Sequence, residues 1–302
     1  MKFIVDKSIV IDAPRETILQ NIRQLSNWEK WSPWLCLDPN TINKTENDTT
    51  SWDSKLIGKG QIEYVNTDGN TLYYDLTFFT PFKSKAKVKF TITEQSGKQL
   101  VNWHMIGNLP FFMFFFKKFM TIVVGKDYER GLLRLKYLSE TGGVPAKLEF
   151  VDTPFNVVGF NCMGIGAKGK FSEVANHMTQ TFTKLHGIIE QEKLQYSKMM
   201  CFCEKVAFVK DSIQYSAAIE VDANAVSNEL KKSAIPEHKA IKVTLYGDYK
   251  FLSDAWSGLH VHTRGLKLAA HKQIPPYEVY IKGPHNCDNP DDYVTEIYMP
   301  LA

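Results

Sequence analysis

This sequence lacks the signatures that usually declare a function. Its five cysteines, Cys36, Cys162, Cys201, Cys203 and Cys287, are odd in number. Their spacing fits neither a disulfide framework nor a zinc motif, so they read as small apolar residues of a reduced compartment. There is no G-x-S-x-G, C-x-x-C or P-loop, which removes the commonest marks of serine hydrolases, dithiol redox proteins and nucleotide hydrolases. Charge of one sign is not in excess. Lys and Arg total 36 against 33 Asp and Glu, a net +3, and the basic residues are scattered, so no direct nucleic-acid partner is expected. Long apolar runs are missing too. Leu109–Val124 falls short of the ~20 residues needed to span a bilayer and is cut by Lys117-Lys118. It reads as a lid or pocket wall of a first domain. Met1-Lys-Phe-Ile-Val-Asp6 has no signal-peptide core, so the expected location is cytoplasmic. His260 and His262 are two apart on a helix and do not share a face. No metal site and no cofactor are expected.

What is present is a patterned strand. Pro275-Pro276 and Gly283-Pro284 bracket Tyr277-Glu278-Val279-Tyr280-Ile281-Lys282, a β-branched and aromatic run between breakers. Alternation sends Tyr277, Val279 and Ile281 to one face and Glu278, Tyr280 and Lys282 to the other. The first set is expected in a core and the second in a cavity, with Glu278 on an exposed edge strand as the competing reading.

From residue 2 the chain reads strand, short helices, then strand after strand from about Thr41 to Ile106, then a helix over Gly125–Glu140. A curved antiparallel sheet gripping a long helix is implied. Ile9-Val-Ile-Asp-Ala-Pro14, Trp28-Glu-Lys-Trp31-Ser-Pro33, Val101-Asn-Trp103-His-Met-Ile-Gly107 and Gly125-Lys-Asp-Tyr-Glu-Arg-Gly131 resemble the SRPBCC superfamily, the START-like or polyketide-cyclase-like helix-grip fold. That resemblance covers residues 1–142 and implies an apolar cavity between sheet and helix. Thr141-Gly142-Gly143-Val-Pro145 is a breaker-rich linker, which sets the expected boundary.

The second half repeats a unit. Strands near 148–151 and 156–161, a helix over 171–192 and strands over 200–209 and 212–221 are followed by a strand over 240–246. A helix over 248–260 and strands over 277–282 and 293–299 complete it. Gly164-Ile-Gly166-Ala-Lys-Gly169 reads as a loop. The pattern implies a sheet with helices on one face and an open ligand groove on the other. Val243-Thr-Leu-Tyr-Gly247-Asp-Tyr249 with Ala255-Trp256, then Tyr277–Pro284, then Val294-Thr-Glu-Ile-Tyr298-Met-Pro300 resemble a GyrI-like, or bacterial transcription-activator effector-binding, domain over 146–302. The fold class expected for the whole chain is α+β. The resemblance implies a buried pocket glutamate at Glu278, with Tyr249 nearby. Where that family carries an Asp before the turn proline, this chain has Gly283.

Strand parity adds Thr244, Tyr246, Glu296 and Tyr298 to the groove of Glu278 and Tyr280. A carboxylate among aromatic rings suits an amphipathic, cationic small molecule. Three functions stay open: a small-molecule binding protein; a hydrolase of strained electrophiles with Glu278 and Tyr249 catalytic; and a regulator that binds a protein partner without its own DNA-binding domain. Trp256, spaced helically from Leu252 and Leu259, is assigned to core.

Overall fold

The computed structural model describes residues 2–80, 83–108 and 116–302. They divide into two compact units, Met1–Pro145 and Ala146–Ala302, each built round antiparallel strands with few helices.

The first unit contains β1 (Lys2–Ile11), α1 (Arg15–Arg23), α2 (Trp28–Trp31), β2 (Ile42–Glu46), β3 (Thr49–Ser54), β4 (Gly58–Asp68), β5 (Thr71–Phe78), β6 (Ser84–Gln95), β7 (Lys98–Asn108) and α3 (Lys117–Thr141). Its sheet runs β1-β7-β6-β5-β4-β3-β2. Strands β2 to β7 pair in chain order because short turns join them. Ser96 and Gly97, at φ 52° and 78°, are the two left-handed residues of a hairpin turn that matches the strand twist. β1 takes the free edge of β7. α3 ends where Gly142 adopts φ 81° and returns its N–H to Leu138 O, an αL cap.

α3 starts at Lys117 rather than at Gly125, so Lys117-Lys118 forms its first turn. Of the expected lid, residues 109–115 lie outside the described residues, and Lys117–Val124 is helix. Among the described residues, rings pack closely under α3. Trp103 stacks on Tyr128 at 3.8 Å and on Phe90 at 4.9 Å, and Trp28 meets Trp31 at 4.7 Å. Gly131 permits this closeness, since a Cβ there would stand 2.7 Å from the Trp103 ring and 2.9 Å from Pro33.

The second unit contains β8 (Ala146–Val157), β9 (Phe160–Gly169), α4 (Val174–Glu192), β10 (Lys198–Ala207), β11 (Ser212–Val221), β12 (Lys231–Ile235), β13 (His238–Gly247), α5 (Leu252–Gly265), β14 (Tyr277–Lys282) and β15 (Val294–Leu301). The sheet order is β12-β9-β11-β10-β14-β15-β13-β8. The repeat therefore has five elements, strand-strand-helix-strand-strand, and the first strand of each copy pairs with the second strand of the other: β8 with β13 and β12 with β9. The polar, exposed β12 carries no periodic signal and was not legible in the sequence.

The expected glycine loop at 164–169 is strand β9. A Cβ on Gly164 would lie 2.4 Å from Ala217 O and 2.8 Å from the Ala218 methyl. The glycine is there because two strands approach closely, one of the standard uses of glycine inside a sheet. α4 packs Leu185, Ile188 and Ile189 against Met199, Cys201, Tyr215, Ala217 and Ile219. α5 runs to Gly265, beyond the expected end at His260, and packs on β13 and β15. Its His262 is buried, with Nδ1 2.6 Å from Asp152 Oδ1 and the ring 3.9 Å from that of Phe150. Among the described residues no helix is long and apolar enough to cross a membrane.

Candidate functional site: a buried carboxylate among rings

Strand β14 begins after two prolines, which cannot donate to a ladder, and pairs on both sides. Glu278 lies opposite Cys201 on β10 and opposite Ile297 on β15. Side chains directly opposite share a face. Ile297 and its β13 partner Val243 are fully buried, and Cys201 belongs to the cluster packed against α4. Glu278 therefore points to the helix side of the sheet. The sequence reading had it turned away from the helices. Alternation defines two faces but does not say which one the helices cover.

The carboxyl group is shielded, with Glu278 only 5% exposed. The indole Nε1 of Trp256, on α5, donates to Oε1 at 2.6 Å. The Tyr280 hydroxyl donates to Oε2 at 2.5 Å. The Tyr280 ring meets Phe182 of α4 edge-on at 5.4 Å and lies 5.6 Å from the Tyr249 ring, which is 5.0 Å from Tyr293. Burial raises the Glu278 carboxyl above its ordinary value, and the two hydrogen bonds only partly oppose this. The thiol of Cys203 is pushed up to about 12, by burial first and by Glu278 second.

The charge balance is unusual. Glu149, Glu220 and Glu296 are paired with Lys147, Lys198 and Lys242. Among the described residues no cation is paired with Glu278; its partners are neutral donors. A buried carboxylate satisfied by hydrogen bonds but without a counter-charge is strained toward its protonated form.

Tyr249 sits in the turn that leads into α5. Asp248 starts this turn by accepting from Lys250 N at 2.9 Å. The phenol in contact with Glu278 is that of Tyr280, not Tyr249. The Tyr249 hydroxyl instead lies over the turn after β14, where a Cβ on Gly283 would be 2.3 Å away. That is why an Asp does not fit at 283: any side chain would displace the phenol. Asn286 Oδ1 accepts from Gly283 N at 2.9 Å and secures the turn.

The structure separates the remaining candidates from Glu278. β14 and β15 pair with Val279 opposite Glu296 and Tyr277 opposite Tyr298. Glu296 and Tyr298 therefore lie on the opposite face, where the Tyr298 hydroxyl donates to Glu296 at 2.6 Å. Tyr246 shares that face, 38% exposed, and its hydroxyl donates to Glu149 at 2.9 Å. A one-residue difference in register transfers a whole strand's side chains to the other face, and sequence does not set register. Ile281 is 42% exposed rather than in a core, because the β14–β15 register shifts between Tyr280 and Lys282. Sequence reasoning also missed Trp256 as a partner of Glu278. Its signal was available: a Trp on a helix facing a core brings an N–H that needs an acceptor.

Among the described residues no three His, Cys, Asp or Glu side chains are grouped to hold a metal ion. All five cysteines are free.

Residues 152–302 match the model of the GyrI-like small molecule binding domain. Residues 2–140 match the model of the polyketide cyclase / dehydrase and lipid transport family. No curated protein matches the chain. Among solved structures, SAV2435 bound to tetraphenylphosphonium is similar at 15% identity, covering 51% of this chain and 94% of that one, with a TM-score of 0.40. The EcmrR C-terminal domain is similar at 18% identity, covering 52% and 96%, with a TM-score of 0.38. A hydrolase from Listeria innocua is similar at 10% identity, covering 50% and 92%, with a TM-score of 0.34.

Proposed function

Since the chain belongs, through residues 152–302, to the GyrI-like small molecule binding family, we propose that its second unit binds an amphipathic organic cation against Glu278. The observation that carries this reading is the missing counter-charge. Glu278 is buried and, among the described residues, accepts only from Trp256 and Tyr280. A cationic centre supplies the charge that no neighbouring Lys or Arg provides, and the rings of Tyr249, Tyr280 and Trp256 add cation–π attraction of roughly 0.5–2 kcal/mol each. The Trp256 N–H occupies the carboxylate in the free protein and gives way when the cation arrives.

A titration of the full chain with tetraphenylphosphonium at pH 8 tests this. Glu278→Gln keeps the shape and removes the charge, and weakens binding at least tenfold, equal to 1.4 kcal/mol. Equal affinity in the variant overturns the proposal.

Hydrolysis is a second reading, favoured by one contact. The 2.5 Å bond from the Tyr280 hydroxyl to a carboxylate whose proton affinity burial raises sets a hydroxyl donor beside a group able to take a proton, an arrangement suited to general acid–base chemistry. In that case Tyr280, rather than Tyr249, assists Glu278. Turnover of an epoxide by the wild type, lost in both Glu278→Gln and Tyr280→Phe, distinguishes catalysis from binding alone.

A further inference from the structure

Two pairs of strands in the second unit are joined by two residues each. Val158-Gly159 connects β8 to β9, and Pro236-Glu237 connects β12 to β13. Yet β8 is one edge of the sheet and β9 lies next to the other edge. So short a link reaches only if the sheet curls until its two margins meet. They do meet: a Cβ on Gly159 would be 3.0 Å from Glu237 N and 3.1 Å from Ile235 O. The face turned away from the helices thereby becomes the inside of the curl.

That concave face has its own core. Cys162, Met200, Phe202, Ala218, Tyr277 and Val279 are buried there, with Phe160, Ile235 and Tyr298 packed against them. Tyr277 and Tyr298, directly paired across β14 and β15, stack in parallel at 4.9 Å and 6°. Both hydroxyls are held at their far ends. His238 Nδ1 lies 2.8 Å from Pro236 O; a carbonyl only accepts, so Nδ1 carries the hydrogen. Nε2 then accepts from the Tyr277 hydroxyl at 3.2 Å. Tyr298 donates to Glu296. The rings are thus fixed as walls.

The packing is incomplete. In the register across β9, β11, β10 and β14, Gly164, Ala218, Met200 and Val279 lie in one row, and beside the tyrosines this row of mostly small side chains leaves space. A cavity of about 200 Å³ opens there, bounded by Phe160, Met200, Tyr277, Val279 and Tyr298, with Lys198 and Glu220 at its rim. It is partly open to solvent and partly polar at its edge; for scale, an enclosed apolar cavity of about 150 Å³ takes benzene.

We propose that this cavity is a second binding site, on the opposite face of β14 from Glu278, for a neutral planar heteroaromatic of one or two rings. Volume sets the size. The fixed tyrosine rings and Phe160 select a flat apolar body. The rim sets the charge: Lys198 Nζ is 2.8 Å from Glu220 Oε2, so the pair is already balanced and favours no ionic ligand, while the Glu220 carboxylate remains an acceptor for a ring N–H. A tetra-aryl cation is too large for the space.

Neighbouring methionines report the two faces separately. Met200 lines the concave cavity, whereas Met199 lies opposite Tyr280 in the core under α4. The full chain is labelled at its methionine methyls, with resonances assigned by single Met→Leu replacements, and titrated with indole. A saturable ring-current shift of the Met200 methyl, with Met199 unmoved, is the expected result. Val279→Phe fills the cavity and weakens indole binding at least tenfold. 1-Benzothiophene, of similar shape but without the N–H, binds more weakly. A shift confined to Met199, or no saturable shift of either methyl up to about 1 mM indole, a free energy of about −4 kcal/mol, overturns the proposal. This readout does not depend on whether tetraphenylphosphonium binds at Glu278, so the two proposals fail separately.

Discussion

Trp256 and Glu278 are joined by an indole-to-carboxylate hydrogen bond of 2.6 Å between α5 and β14. The bond ties the second helix of the unit to the central strands of its sheet, and it serves a carboxyl group that has no ionic partner among the described residues.

Removing the donor tests its worth. Trp256→Phe keeps the ring and leaves Oε1 buried without its donor, which costs about 1–3 kcal/mol. In a Glu278→Gln background the same change costs less, because a neutral amide is less expensive to leave unpaired. Urea unfolding of the four proteins in a double-mutant cycle measures the difference.

The raised pKa of Glu278 fixes a pH dependence. The folded protein holds this proton more tightly than the unfolded chain, whose glutamates titrate at about 4.3. Between that pH and the folded pKa the native state binds more protons, so stability falls as pH rises. Below it the group contributes nothing to the difference. Glu278→Gln is therefore more stable than wild type at pH 8, by on the order of 1.4 kcal/mol for each unit of the pKa shift, and equal near pH 4. Melting curves at the two pH values check the sign.

Cation affinity follows the same proton in the other direction. A bound cation favours the ionised carboxylate, so tetraphenylphosphonium binding strengthens with pH until the free-protein pKa of Glu278 is passed, then levels. In Glu278→Gln the slope is absent. Calorimetric titrations at pH values rising from the ordinary glutamate value of about 4.3 separate this from a general charge effect.

Gly283→Ala places a methyl 2.3 Å from the Tyr249 hydroxyl. Displacing that phenol destabilises by about 1–3 kcal/mol. Tyr249→Phe removes the clashing oxygen, so the double variant recovers most of the loss. In the first unit, Gly131→Ala forces α3 away from Trp103 and Pro33 and destabilises by a similar amount, read from denaturant midpoints.

The α+β class, both family resemblances and the alternation along β14 were legible in the sequence, because breakers, periodicity and local motifs are properties of the chain itself. Proline pairs and Gly-Pro mark the ends of β14 whatever surrounds it. What tertiary structure alone decided was which partner each strand met. Pairing Glu278 with Ile297 rather than with Glu296 sent Glu296 and Tyr298 to the far face. The pairings of β8 and β12 across the two repeats curled the sheet and turned an apparently open face into a core. In the first unit, Gly131 let α3 approach the Trp103 ring and Pro33. Register, facing and packing arise from contacts between residues distant in sequence, and a pattern of alternation is the same before and after they form.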